Sequence, residues 1–183
     1  HNCDPITAKG LCQLCGDRYL IQNPPSENFT SEELDSIYSM DFERDVHPYY
    51  KAMGEVRALD TIRTSVTTHR GCYGECNFCA IAIHQGRTVI SRSQDSIVEE
   101  VKEIASAPKF KGYIADVGGP TANMYAIECS KKLKLGACQD KRCLYPHKCP
   151  ALKIDHNSQI ELLDKLKNID KIKKIFILKG YPF

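Results

Sequence analysis

The sequence predicts an α/β fold with parallel strands, and three observations carry that reading. Strand-like runs at 61–67, 113–117 and 173–178 alternate with helical periodicities at 94–107, 121–135 and 158–168, the order that a parallel sheet with helical crossovers requires. The first two strands each run straight into a glycine-marked turn, Gly71 and Gly74 after one and Gly118-Gly119 after the other. The last strand ends in the continuous apolar run Ile175-Phe176-Ile177-Leu178, the pattern of a strand buried on both faces.

Composition sets the limits. The 183 residues suffice for one ordinary domain, or one and a piece, and a hydrophobic share of 42% suits a globular chain. No apolar run approaches membrane-spanning length. Lys+Arg 25 against Asp+Glu 23 gives a net charge of +2, which does not indicate nucleic acid. Ten cysteines are many for this length. Secreted disulfide scaffolds are usually shorter than about 80 residues and no signal peptide is visible, so clustered cysteines point to metal binding in a reducing cytoplasm. The chain opens at His1 and ends at Pro182-Phe183 just past a strand-like run, which reads as a fragment of a longer protein.

Taken in order, residues 1–28 are polar and turn-rich, with a Cys12-x2-Cys15 pair and a short strand at Arg18–Gln22 that Pro24-Pro25 ends. Without a second pair nearby, Cys3, Cys12 and Cys15 receive no role. Thr30 and Glu33 form a capping box that opens a helix to about Met40, with Leu34, Ile37 and Tyr38 on one face. Residues 41–60 read as a connector, and His47 in it as a surface residue. In the strand at 61–67 apolar and polar residues alternate. Ser93 caps the helix from Gln94 to Ala107, whose Ile97, Val98, Val101, Ile104 and Ala105 keep helical spacing until Pro108 stops it. Asn157 or Ser158 caps the last helix, with Ile160, Leu162, Leu163 and Leu166 on its apolar face.

Between the first strand and its helix lies Arg70-Gly71-Cys72-Tyr73-Gly74-Glu75-Cys76-Asn77-Phe78-Cys79. Three thiolates this close repel one another unless a cation compensates them, so a metal or cluster is the natural occupant. Structural zinc takes four protein ligands, and this loop offers three. A second group, Cys129, Cys138, Cys143 and Cys149, is spread through a segment with Gly136, Pro146 and Pro150. Four cysteines suffice for an iron–sulfur cluster or a zinc, although no Cys-x2-Cys pair fixes the geometry, and reduced, unligated thiols fit the spacing equally.

Cys-x3-Cys-x2-Cys with an aromatic residue just before the last cysteine resembles the signature of the radical S-adenosylmethionine (SAM) enzymes. The surrounding His69-Arg70-Gly71-Cys72, Phe78-Cys79-Ala80-Ile81, Gly86-Arg87, Ser91-Arg92-Ser93 and Asp116-Val117-Gly118-Gly119-Pro120-Thr121-Ala122-Asn123 look like the YgiQ-type subfamily, over about residues 16 to 177. The resemblance implies a 4Fe–4S cluster on Cys72, Cys76 and Cys79 with one iron open to the methionine moiety of SAM. It places Phe78 and Ile81 near the adenine, and Gly118, Gly119 and Thr121 near the SAM amino group. Pro120 stands where that family usually has an acidic residue, so the carbonyls of Gly118 and Gly119 or the Thr121 hydroxyl would replace that contact.

The same resemblance gives the fold as the first half of a partial (β/α)6 TIM-like barrel preceded by a short irregular segment. Residues 1–58 would be the tail of a preceding domain and a linker, and 59–183 the radical SAM core with a Cys-rich insertion at 129–150. It also implies a low-potential electron donor such as flavodoxin or ferredoxin, acting in the cytoplasm on an unknown substrate. Two competing readings stay open from the residues: an iron–sulfur electron-transfer module, and a zinc-stapled binding domain, both without SAM. His69 and His84 flank the loop and read equally as packing residues.

Overall fold

The computed structural model describes residues 4–120 and 122–178. The N-terminal segment is less irregular than its composition predicts. Strands β1 (Leu11–Cys15) and β2 (Arg18–Gln22) form an antiparallel hairpin that pairs Cys12 with Ile21 and Cys15 with Arg18. Gly16, with φ 64°, takes the first position of its two-residue turn, where a left-handed residue matches the strand twist. Cys12 and Cys15 are spent as strand positions three apart, which face opposite sides.

Helix α1 (Ser31–Tyr38) carries the predicted capping box, Thr30 accepting from the Glu33 amide and the Glu33 carboxylate from the Thr30 amide, and it buries Leu34. The connector contains two short helices, α2 (Pro48–Lys51) and α3 (Ala58–Ile62). The second of these takes the start of the expected strand: Arg63 N–H still bonds back to the Leu59 carbonyl, so β3 spans only Ser65–Thr67. Next come β4 (His69–Arg70), α4 (Ile81–His84), β5 (Ile90–Ser91) and α5 (Gln94–Ser106), the last capped by Ser93 as predicted.

The second predicted strand is present as β6 (Tyr113–Ile114) and β7 (Asp116–Gly118). The helix expected over 121–135 shrinks to α6 (Ser130–Leu135), because the residues before it make turns and an isolated bridge, Glu128 to Lys153, in place of helical bonds. Helix α7 (Asn157–Lys167) has His156, not Asn157 or Ser158, at its N-cap, and Asp155 accepts from the Asn157 amide there. The last strand, β8 (Lys174–Ile175), is shorter than the apolar run that announced it.

The fold is mixed α/β with parallel strand pairs. β3 pairs β7 in the register Ser65↔Asp116 to Thr67↔Gly118, and β6 pairs β8 through Tyr113↔Lys174 and Ile114↔Ile175. Bonds from Val117 N–H to the Phe176 carbonyl and from Phe176 N–H to the Ile114 carbonyl join the two pairs side by side. Onto them α5 lays Ile97, Val101 and Ile104, and α7 lays Leu162 and Leu166, against Val66, Ile114, Val117 and Tyr125. Each such aliphatic side chain, fully buried, contributes about 1.5–3 kcal/mol. The 3.6-residue spacing of α5 therefore decides which face meets the sheet.

A second core is unusual in composition. Cys72, Tyr73, Val89, Met124, Ile127, Cys129, Cys143 and Leu152 pack together, with Ile81 and Cys149 partly buried at its edge. It joins the two cysteine groups that the sequence keeps far apart.

Candidate metal centre

The cysteine loop is pinched at its base. β4 and β5 pair antiparallel, His69 with Ser91 and Arg70 with Ile90, and the Cys72 amide bonds to the Gly86 carbonyl at 3.1 Å. Gly71 sits in the pinch with φ 89°. A Cβ there would lie 2.8 Å from the Thr88 carbonyl carbon and nearer still to its oxygen, so only glycine fits. Within the loop, Cys79 N–H bonds to the Cys76 carbonyl at 3.0 Å, a tight turn that brings the last two cysteines round.

Two of the three sulfurs flank Gly74. A Cβ on that residue would stand 3.3 Å from the Cys72 sulfur and 3.5 Å from the Cys76 sulfur, and the Gly74 amide donates to Cys72 Sγ at 3.3 Å. Cys72 is buried, Cys79 half-buried and Cys76 exposed. Among the described residues no three His, Cys, Asp or Glu side chains stand close enough to hold one ion. Cys72 is tied into the pinch, and Cys76 and Cys79 lie on the short turn that follows it.

Ahead of the loop, His69 is fully buried and ties it to the second glycine turn. Met124 N–H donates to His69 Nε2 at 3.3 Å, and the other ring nitrogen, Nδ1, lies 2.9 Å from Thr68 Oγ1. The same ring packs on Gly119, where a Cβ would sit 2.7 Å from His69 Cδ2 and closer to Nε2. At Gly118 a Cβ would meet Asn123 Oδ1 at 2.9 Å. One face of the Gly-Gly pair is thus spent on the chain's own side chains. The pair also borders a cleft of about 380 Å³ with Thr67, Arg70, Asp116 and Pro120. Of the residues expected near SAM, Gly118 and Gly119 line that cleft; Phe78 is 92% exposed outside it, and Ile81 belongs to the second core. Thr121 lies outside the described residues.

In the second cysteine group, Cys129 and Cys143 are buried, and Cys138 and Cys149 half-buried. Cys149 N–H bonds to the Cys143 carbonyl at 2.8 Å. Burial pushes the Cys143 thiol up, and Glu75 and Cys129 add to the push; the Lys132 ammonium, beside it and hydrogen-bonded to it, pulls the other way. Lys132 is itself fully buried, 5.1 Å above the Tyr73 ring, and donates to the Arg87 carbonyl at 2.8 Å. Burial raises the Tyr73 phenol well above its ordinary value, so it stays protonated in this core.

Sequence reasoning missed Glu75, Arg87 and Lys132 as parts of the site. Arg87 pairs with Glu75 inside the loop and donates to the Cys138 carbonyl at 2.8 Å. Glu75 stands inside the cysteine loop and Arg87 just past Gly86, and nothing in their spacing announces that they pair.

Comparison with known proteins places the chain. Residues 1–65 match the family described as Radical SAM N-terminal. A UPF0313 protein of Fusobacterium nucleatum is 76% identical over 182 residues, taking in 100% of this chain and 32% of that protein. A UPF0313 protein of Methanocella arvoryzae is 46% identical over 180 residues, 98% of this chain and 30% of its own length. One of Clostridium botulinum is 44% identical over 180 residues, 98% of this chain and 28% of its own. The chain spans about a third of the length of the curated relatives it matches. The family match agrees with the resemblance to radical SAM proteins, and its residues 1–65 precede the cysteine motif from which that resemblance is read.

Proposed function

We propose that this chain is the cluster-bearing segment of a radical SAM enzyme, with Cys72, Cys76 and Cys79 as the ligands of a 4Fe–4S cluster. The observation that carries it is the loop itself: two sulfurs drawn together beside Gly74, one of them receiving its amide, in a chain similar over its length to UPF0313 proteins. A cluster held by Cys72, Cys76 and Cys79 would supply one-electron reduction for cleavage of the sulfonium carbon–sulfur bond of SAM.

The chain's own residues supply placement. The pinch at Gly71 holds Cys72 under the loop, and the Cys76–Cys79 turn presents the remaining thiols from the solvent side. Gly118 and Gly119 offer backbone to the cleft beside Arg70 and Asp116, which suits the amino and carboxylate groups of SAM. Phe78, exposed on the loop, is free to cover an adenine. The parallel strands and their helices are read as the first half of a partial (β/α)6 barrel over 59–183, with 1–58 leading into it. A flavodoxin- or ferredoxin-like donor, a cytoplasmic setting and a substrate site elsewhere in the longer protein complete the reading. A metal at the second cysteine group would have to displace Lys132 from Cys143, so the assignment is confined to the first group.

Anaerobic reconstitution tests this. Iron and sulfide content, and electron paramagnetic resonance of the reduced protein with and without SAM, should show a 4Fe–4S signal that SAM alters. Cys72→Ala, Cys76→Ala and Cys79→Ala should each lose it, and Cys12→Ala should keep it. A signal indifferent to SAM would mark an electron-transfer centre instead, and zinc in place of iron would end the catalytic reading.

A further inference from the structure

Glu75 stands between Gly74 and Cys76 with φ 48°, a left-handed conformation that non-glycine residues rarely take. Such a conformation persists where surrounding structure over-determines it. Here the surroundings are a charge: the Arg87 guanidinium pairs with the Glu75 carboxylate, and the two side chains are only 8% and 15% exposed. Arg87 is fixed in turn from outside the loop. Its Nη2 donates to the Cys138 carbonyl at 2.8 Å, and its own carbonyl accepts from Lys132 Nζ at 2.8 Å. Lys132 lies over Tyr73, the residue after Cys72. The circuit therefore leaves the loop at Glu75, passes through Arg87 and Lys132, and returns at Tyr73.

We propose that Arg87 is the positioning residue of the cysteine loop, holding Glu75 left-handed and anchoring it to the second cysteine segment so that the Cys72 and Cys76 sulfurs stay together beside Gly74. The second cysteine segment then acts as a buttress for the first. Glycine at position 75 would adopt the backbone without help, so the choice of glutamate makes the loop's shape depend on Arg87. Removing the arginine leaves a buried carboxylate without its cation, which the loop escapes only by turning Glu75 out to water. This deepens the proposed cluster assignment, yet its first readout does not need a cluster.

That readout is the alkylation rate of individual cysteines by iodoacetamide in the apo protein, followed by mass spectrometry. In Arg87→Met, Cys72, which is 7% exposed, should react at least about tenfold faster than in the parent, while the exposed Cys12 is unchanged. Adding Glu75→Gly should bring Cys72 back to within about threefold of the parent, because glycine needs no clamp and no charge is left behind. A variant that merely unfolds would expose Cys129 equally and would not be rescued. Unchanged Cys72 protection in Arg87→Met, or no recovery in the double variant, overturns the proposal. Anaerobic iron loading of the same three proteins should follow the same order. A parent that takes up no iron would refute the cluster assignment and leave the alkylation comparison to decide the role of Arg87.

Discussion

Gly71→Ala tests the pinch that makes the cysteine loop a loop. The residue has φ 89°, and placing a Cβ carbon in left-handed backbone costs about 1–2 kcal/mol. The new methyl would also meet rigid neighbours, 2.8 Å from the Thr88 carbonyl carbon and 3.1 Å from Val89 Cα. Backbone must move to admit it, and what moves is held by the Cys72 to Gly86 bond and the β4–β5 pairing; each bond lost costs about 1 kcal/mol net. The total is about 3–4 kcal/mol, a large part of the roughly 5–15 kcal/mol by which domains are stable. Gly54→Ala is the control: φ is 119° there but nothing lies within 4 Å, so only the dihedral cost applies. Urea unfolding followed by circular dichroism, with equal slopes required, gives both numbers. A Gly71→Ala loss no larger than that of Gly54→Ala would refute the claim that Thr88 demands a bare Cα.

Three further substitutions read the electrostatics away from the loop. Asp4 is buried and accepts from Ile6 and Thr7 amides at 3.1 and 3.0 Å, the Thr7 hydroxyl at 3.0 Å and the Ala137 amide at 2.8 Å. Burial pushes its pKa up, but those hydrogen bonds together, Ala137 first, hold it below the usual carboxylate value. A depressed carboxylate contributes stability above its unfolded pKa near 3.9 and loses it as pH falls through the folded value. Asp4→Asn should therefore cost about 2 kcal/mol at pH 7, with the gap closing as pH drops below about 4; a gap that persisted undiminished at pH 2 would contradict this. Glu100 lies between Arg92 and Arg44 with its side chain 4% exposed, and Arg92 is 1% exposed. Glu100→Gln leaves Arg92 buried without its anion and should cost about 3–5 kcal/mol in the same urea assay. Arg44→Ala, at a side chain 23% exposed, should cost about 1 kcal/mol or less.

What the sequence made legible was local. The Thr30–Glu33 capping box, the Ser93 cap and the apolar spacing of α5 each bind residues three or four apart, and each is present as read. The strand expected over 61–67 starts late because Ala58 and Leu59 favour a helical turn that runs on through Ile62. The alternation after it was real, but only three residues have β7 to pair with. The helix at 121–135 failed for a related reason: its apolar residues Met124, Tyr125 and Ile127 serve two different cores, so no single helical face could bury them. A run of apolar residues says that something is buried and leaves open against what.

The site divides along the same line. Cysteine spacing is a local property, so Cys72, Cys76 and Cys79 stood out at once, and the nearness of the Cys72 and Cys76 sulfurs beside Gly74 is the consequence of a short loop. The glycine pair at 118–119 was equally visible but ambiguous, since a missing Cβ looks the same whether it admits a ligand or a neighbour. The structure shows both uses at once, with His69 and Asn123 filling one face and a cleft opening beside the backbone. The charges that shape the loop could not be read at all. Glu75 meets Arg87, and Arg87 meets Cys138, only after β4 has paired with β5 and the second cysteine segment has folded over the first. Taking a buried ion pair from water is costly, so a chain keeps one where an alternative geometry must be excluded. Here the geometry at stake is that of residue 75, one position from a candidate ligand.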